Sequence, residues 1–140
     1  MSWLLDTSAI SELSLSRRNP GFQAWWDQTK GAKAELFLCA PVIAEIERGA
    51  RNFVSHKRRI ALEWLHEEVL PIFAERILPF DVEVARTWGD VTAAFPKDIA
   101  ISVIDSYIAA IAIHHDLTLV TRKVSDMAIF EALKIHTPWS

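Results

Sequence analysis

Four carboxylates stand where an α/β chain does its chemistry. Asp6 closes the apolar run Trp3-Leu4-Leu5, and Glu45 follows a second run, Leu36-Phe37-Leu38-Cys39, by little more than a turn. Asp126 comes shortly after a third run, Leu117 to Val120. Asp105 is the only charge between Ile99 and Ile113. A carboxylate in such surroundings costs several kcal/mol or is driven toward its neutral form unless it finds a partner. No Lys or Arg lies within a helical turn of Asp105, so the partner must come from elsewhere: a helix cap, a distant base such as Arg122, or a bound cation. Taken singly, Asp6 reads as a strand-end turn residue and Glu45, two positions from Glu47, as a solvated helix acid. As a set they suggest a cation site, because close carboxylates repel and a hard divalent ion relieves the repulsion. Oxygen donors suit Mg²⁺, or Mn²⁺ in its place. Zinc is disfavoured, since Cys39 is isolated and the adjacent His114 and His115 point to different helix faces. Acids and hydroxyls without a nucleophile-base pair point to metal-assisted attack of water on phosphate, through one ion or two.

The elements that must position these acids follow from the apolar pattern. Strands are expected at Trp3-Leu5, Glu35-Ala40, Ile77-Phe80 and Leu117-Thr121, with a last extended piece around Ile135. Asn19-Pro20-Gly21 gives an N-cap and an N1 proline to a helix carrying Phe22, Trp25 and Trp26, which Gly31 ends. Adjacent Trp25 and Trp26 cannot both be buried equally by one helix face, which leaves one for a partner surface. Pro41 opens a helix in which Val42, Ile46, Gly49 and Phe53 follow one stripe, read as buried. A further helix carries Ile60, Leu62, Trp64, Leu65 and Val69. Asp81 caps a helix running to about Phe95, an apolar helix spans about Ser102 to His115, and a short one starts near Ser125. Strands alternating with helices call for a mostly parallel sheet of four or five strands covered on both faces, a three-layer α/β/α sandwich. Ligands of such sheets bind beyond the carboxyl ends of the strands. Asp6, Glu45 and Asp126 follow strands, and Asp105 begins a helix whose N-terminus lies at that same edge.

The 140 residues, 51% hydrophobic and 24% charged, fit one domain able to bury a core without disulfide staples. The single cysteine fits a reducing compartment, and the start of the chain, lacking a basic segment and meeting Asp6 early, fits a cytoplasmic protein. The apolar stretch around Asp105 is shorter than the roughly 20 residues of a membrane span. A net charge of −3, from 18 acidic and 15 basic residues, argues against a chain that merely coats nucleic acid. Yet Arg48, Arg51, Lys57, Arg58 and Arg59 fall close together with no acid between Arg48 and Arg59, and such a tract could follow RNA phosphates.

The segments Asp6-Thr7-Ser8-Ala9-Ile10-Ser11-Glu12-Leu13, Ala44-Glu45-Ile46-Glu47-Arg48-Gly49, Asp105-Ser106-Tyr107-Ile108-Ala109-Ala110 and Val120-Thr121-Arg122-Lys123-Val124-Ser125-Asp126 resemble, in order and spacing, the four signature blocks of the PIN-domain family. They are most similar to its VapC toxin branch, with the plasmid-stability and FitB-like proteins. The resemblance runs from residue 3 to about 139 and implies a single PIN domain over 1–140. It implies a Mg²⁺-dependent endoribonuclease acting on tRNA or rRNA, with Asp6, Glu45, Asp105 and Asp126 as metal ligands. Ser8 and Thr121 would be polar helpers and Arg122 a phosphate or carboxylate partner. It further implies inhibition by a cognate VapB-type antitoxin, a homodimer, and contact with DNA only through the antitoxin. The alternative is a nuclease-weak binding module that acts mainly with its DNA-binding partner. Lys123 departs from the asparagine common at its position, and Met127 from a frequent aromatic residue. A haloacid-dehalogenase-type phosphatase is disfavoured because Asp6-Thr7-Ser8 lacks a second Asp two residues on.

Overall fold

The computed structural model describes residues 1–140, the side chains of residues 33 and 34 aside. Five short strands, β1 (Trp3–Leu5), β2 (Leu36–Cys39), β3 (Ile77–Leu78), β4 (Thr118–Val120) and β5 (Lys134–His136), form one sheet in the order β3-β2-β1-β4-β5. Every pairing is parallel, with Leu4 opposite Phe37 on one side and Leu119 on the other. Successive strand residues point to opposite faces, yet Leu4 and Leu5, Leu38 and Cys39, and Leu119 and Val120 are all fully buried. Both faces are therefore covered, as parallel sheets require. The chain moves from β1 outward through β2 to β3, then returns to the other side of β1 for β4 and β5. This change of direction opens a crevice at the carboxyl ends of β1 and β4.

Eight α-helices connect the strands among the described residues: α1 (Thr7–Leu13), α2 (Pro20–Thr29), α3 (Ala40–Arg51), α4 (Ser55–Glu63), α5 (Leu70–Ile72), α6 (Val82–Thr92), α7 (Val103–His114) and α8 (Val124–Met127). Their starts obey local chemistry. The side chains of Asn19, Asp81 and Ser102 accept backbone N–H groups of Phe22, Val84 and Asp105 at 3.2, 3.0 and 3.3 Å, which satisfies donors that a helix leaves free. α7 is the buried helix its composition predicts, with Ile108 to Ala112 wholly inside, and it packs against α3 and α6.

Three expectations are revised. A seven-residue helix, α1, follows Asp6 directly. Gly31 does not end the ordered turn: α2 passes into a 3₁₀ segment, Lys30–Glu35, kinked at Ala32. Of the stripe on α3, only Val42 is fully buried; Ile46 is half-buried, and Gly49 and Phe53 are exposed. The stripe curves out of the core because α3 leaves the sheet edge, and α4 with the π turn Trp64–Val69 stands opposite, leaving a groove between them. The tryptophans also settle. Trp25 is buried against Trp3, Phe22 and His136, and Trp26 is half-buried against the same core, so α2 presents no free indole.

Candidate active site

Asp6 ends the central strand, and its backbone N–H reaches Val120 O at 3.2 Å, which ties the tips of β1 and β4 together. Its carboxylate caps α1: Oδ1 accepts Ala9 N–H at 3.0 Å and the Ser8 hydroxyl at 2.6 Å. Ser8 Oγ in turn accepts the backbone N–H of Arg122 at 3.1 Å, so the loop after β4 is built onto the same carboxylate. Only 3% of Asp6 is exposed. Burial pushes its carboxyl above the usual range, against the hydrogen bonds of Ser8, Thr121 and Ala9 and the charge of Lys123.

Glu45 projects half-buried from α3, and its Oε1 accepts the hydroxyl of Thr7, the first residue of α1. Asp105 lies in the first turn of α7 with 6% of its surface exposed. Both of its oxygens stand 3.2 Å from Lys123 Nζ. The distant base that the apolar helix demands is therefore Lys123, not Arg122. Burial opposes the charge on that ammonium, but the hydrogen bond to Asp105 and the pull of Asp105, Glu45 and Asp6 outweigh it and hold the group above its ordinary value. Asp6 and Glu45 also reach Cys39, whose thiol is pushed up to about 12, chiefly by burial. That cysteine is inert, as its strand setting suggests. Thr121 is fully buried and accepts Lys123 N–H at 2.9 Å, so one hydroxyl both steadies Asp6 and shapes the turn carrying the lysine.

Asp126 stands apart. It is exposed in the first turn of α8 and makes none of the hydrogen bonds or ion pairs of this cluster. Arg122 is likewise turned away: its guanidinium lies 3.7 Å from Glu12 and 5.2 Å from the ring centre of Trp139. Glu12 is the buried acid that sequence reasoning missed. It accepts Trp139 Nε1–H at 3.0 Å and Asn19 N–H at 2.8 Å. Thr7 was missed as well, although a hydroxyl beside Asp6 on the first turn of a helix was the available signal. The basic tract splits between α3 and α4 with every member exposed, and Arg51 pairs with Glu47 at 3.3 Å.

Beside the cluster runs a groove of about 990 Å³, reaching from Thr7 and Glu45 past Leu15, Phe53 and Ile60 to Trp64. Leu15, Phe53 and Ile60 are 49%, 48% and 58% exposed, and Glu63, Glu67 and Glu68 stand along the groove with Lys57.

The donors suit a hard divalent ion. They are all oxygen; Asp6 and Asp105 are buried; and a cation, the ammonium of Lys123, already stands against Asp105. Among the described residues no three acids, cysteines or histidines close into a ready-made cage, so an ion entering here would take the place of that ammonium.

Comparison with known proteins agrees with this arrangement. The family model described as PIN domain matches residues 3–123, a span that includes Asp6, Glu45 and Asp105. Toxin FitB of Neisseria gonorrhoeae is 35% identical over 145 residues, covering 97% of each chain. VapC ribonuclease Y4jK of Sinorhizobium fredii is 37% identical over 140 residues, covering 97% of this chain and 96% of its own. The crystal structure of FitAcB from Neisseria gonorrhoeae contains a chain that superposes with a TM-score of 0.86 at 33% identity, covering 98% of both.

Proposed function

The chain belongs to the PIN domain family, and from that premise we propose that it is the toxin of a VapBC-type pair, an endoribonuclease hydrolysing phosphodiester bonds of tRNA or rRNA. Asp6, Glu45 and Asp105 would hold Mg²⁺, or Mn²⁺ in its place, and Asp126 would complete the site or support a second ion. The reading is carried by one observation: Asp6, Glu45 and Asp105, from three separate segments, all act on the single cationic position that Lys123 marks. Names of relatives that are called ribonucleases support the activity.

Such an ion, when bound, polarises a phosphate oxygen and lowers the pKa of an attacking water. The chain's own residues supply the frame. Ser8 and the Ala9 N–H orient the Asp6 carboxylate, and Thr7 holds Glu45 at the α1–α3 junction. Ser102 anchors the first turn of α7, so Asp105 enters the crevice on a rigid helix rather than on a loop. No histidine and no RNA 2′-hydroxyl is needed, so the products carry a 5′-phosphate and a 3′-hydroxyl. Arg48, Lys57, Arg58 and Arg59 would follow RNA phosphates, whereas Arg51 is already paired with Glu47. Charge reversal at Arg58 and Arg59 then weakens RNA binding; unchanged binding makes the tract a solvated surface.

The antitoxin would lay an amphipathic segment in the groove, with apolar side chains over Phe53 and Ile60 and basic ones toward Glu63, Glu67 and Glu68. Similarity to a chain of the FitAcB structure supports a partner of this kind. The same proposal includes a homodimer, contact with DNA only through the antitoxin, and a cytoplasmic location; no helix is long and apolar enough to cross a membrane among the described residues. One observation favours the second reading, a nuclease-weak binding module: the ammonium of Lys123 at Asp105. Incubation of a tRNA and rRNA panel with Mg²⁺ or Mn²⁺ separates the two. Metal-dependent cuts that Asp6→Asn and Asp105→Asn both lose support the nuclease, and the same pattern from wild type and variants supports the module.

A further inference from the structure

Lys123 is the one cationic side chain paired with Asp105 among the described residues, and its placement is that of a bound ion. Nζ is equidistant, at 3.2 Å, from the two oxygens of a carboxylate that is only 6% exposed. The attraction of Glu45 and Asp6 acts on the same point. An ammonium is a compact, strongly hydrated point charge on a flexible stem, without the rigid fork by which arginine locks onto a carboxylate. The side chain is 38% exposed, so it enters from the solvent side and can leave without disturbing the core. Its backbone is held independently, through the N–H bond to Thr121, so departure of the ammonium leaves the β4–α8 turn intact.

We propose that Lys123 is a resident counter-ion of the Asp6–Glu45–Asp105 cluster which a divalent ion must displace, so that metal binding to this protein is an exchange of one cation for another. The proposal rests on the reading of these carboxylates as a metal site. It follows from charge accounting. Without a cation three neighbouring carboxylates would repel, two of them buried; with both an ammonium and a divalent ion at contact distance from Asp105, the two cations would repel instead. The cluster therefore stays compensated in the metal-free protein, and the apparent affinity for metal is reduced by the work of expelling the lysine.

The test is calorimetric titration of the purified full chain with MnCl₂, accompanied by thermal melts in EDTA. Wild type is compared with Lys123→Gln, Lys123→Met and Arg122→Gln. Both Lys123 variants should bind Mn²⁺ about tenfold or more tightly than wild type and melt lower in EDTA, with a larger upward shift on adding Mn²⁺. Lys123→Met keeps the aliphatic stem, so agreement between the two separates charge from packing. Arg122→Gln removes a unit of charge from the adjacent residue and should change the affinity less than threefold; a tenfold gain there would make the effect one of overall charge and overturn the proposal. Equal or weaker binding by the Lys123 variants overturns it too, while leaving the metal site standing. No Mn²⁺ binding by wild type or any variant overturns the metal-site reading itself, and the exchange with it.

Discussion

Replacing Glu12 by alanine should cost the fold about 3 kcal/mol, and the reason can be followed bond by bond. Its carboxylate is 5% exposed and accepts two N–H donors, Asn19 at 2.8 Å and Trp139 at 3.0 Å. Hydrogen bonds to a charged acceptor contribute about 1.5–3 kcal/mol each, and truncation leaves both donors short of a partner. The ion pair with Arg122 at 3.7 Å adds little, about 0–1 kcal/mol, because that guanidinium is 57% exposed. Arg122 also loses the carboxylate that seats it over Trp139, next to the lysine facing Asp105. Urea denaturation at pH 7 measures the loss, and Trp139→Phe, which removes only the indole N–H, should lose about 1–1.5 kcal/mol. The two N–H bonds and the guanidinium outweigh burial and hold the Glu12 carboxyl below its usual range. A depressed value means the stabilisation is present above the unfolded value of 4.5 and is lost as pH falls through the lower folded value. The difference between wild type and Glu12→Ala should therefore shrink on acidification below 4.5. A loss under about 1 kcal/mol at pH 7, or one that persists unchanged in acid, refutes this account of the clamp.

Three further outcomes are expected. Asp6→Asn should raise the melting temperature of the metal-free protein at pH 7 while abolishing cleavage; asparagine caps a helix as well as aspartate does and carries no charge to bury. Because burial raises the Asp6 carboxyl, the penalty is present above the raised folded value and absent below 3.8, so the gain should vanish in melts below that pH. Thr7→Val, which frees Glu45 without opening the core, should lower the cleavage rate about tenfold with little change in stability, as read by single-turnover kinetics and a thermal melt. Phe53→Ser combined with Ile60→Ser should weaken antitoxin binding at least about tenfold by titration calorimetry yet leave RNA cleavage unchanged.

The carboxyl edge of the sheet was legible because parallel strands must be followed by loops, and acids placed just after apolar runs fall at that edge whatever the side-chain detail. Asn19, Asp81 and Ser102 cap where capping chemistry predicts. α1 was not legible, since seven residues give too little periodicity to separate a helix from a turn. Phe53 and Ile60 read as core because periodicity reports which residues share a face and is silent on whether another element covers it. The partner of Asp105 lies 18 residues away along the chain, and only the pairing of β1 with β4 decides that Lys123, rather than Arg122, faces it. Asp126 shared the edge by order along the chain, but α8 carries it outward.

The central claim is that carboxylates from three elements jointly direct water onto an RNA phosphate. The most direct measurement is the chemistry of the fragment ends, mapped after digestion in Mg²⁺. Fragments with 5′-phosphate and 3′-hydroxyl ends, absent with Asp6→Asn and Asp105→Asn, are what the account predicts. Fragments ending in 2′,3′-cyclic phosphate would contradict it, since they require the neighbouring 2′-hydroxyl as nucleophile and leave these acids without the role assigned to them.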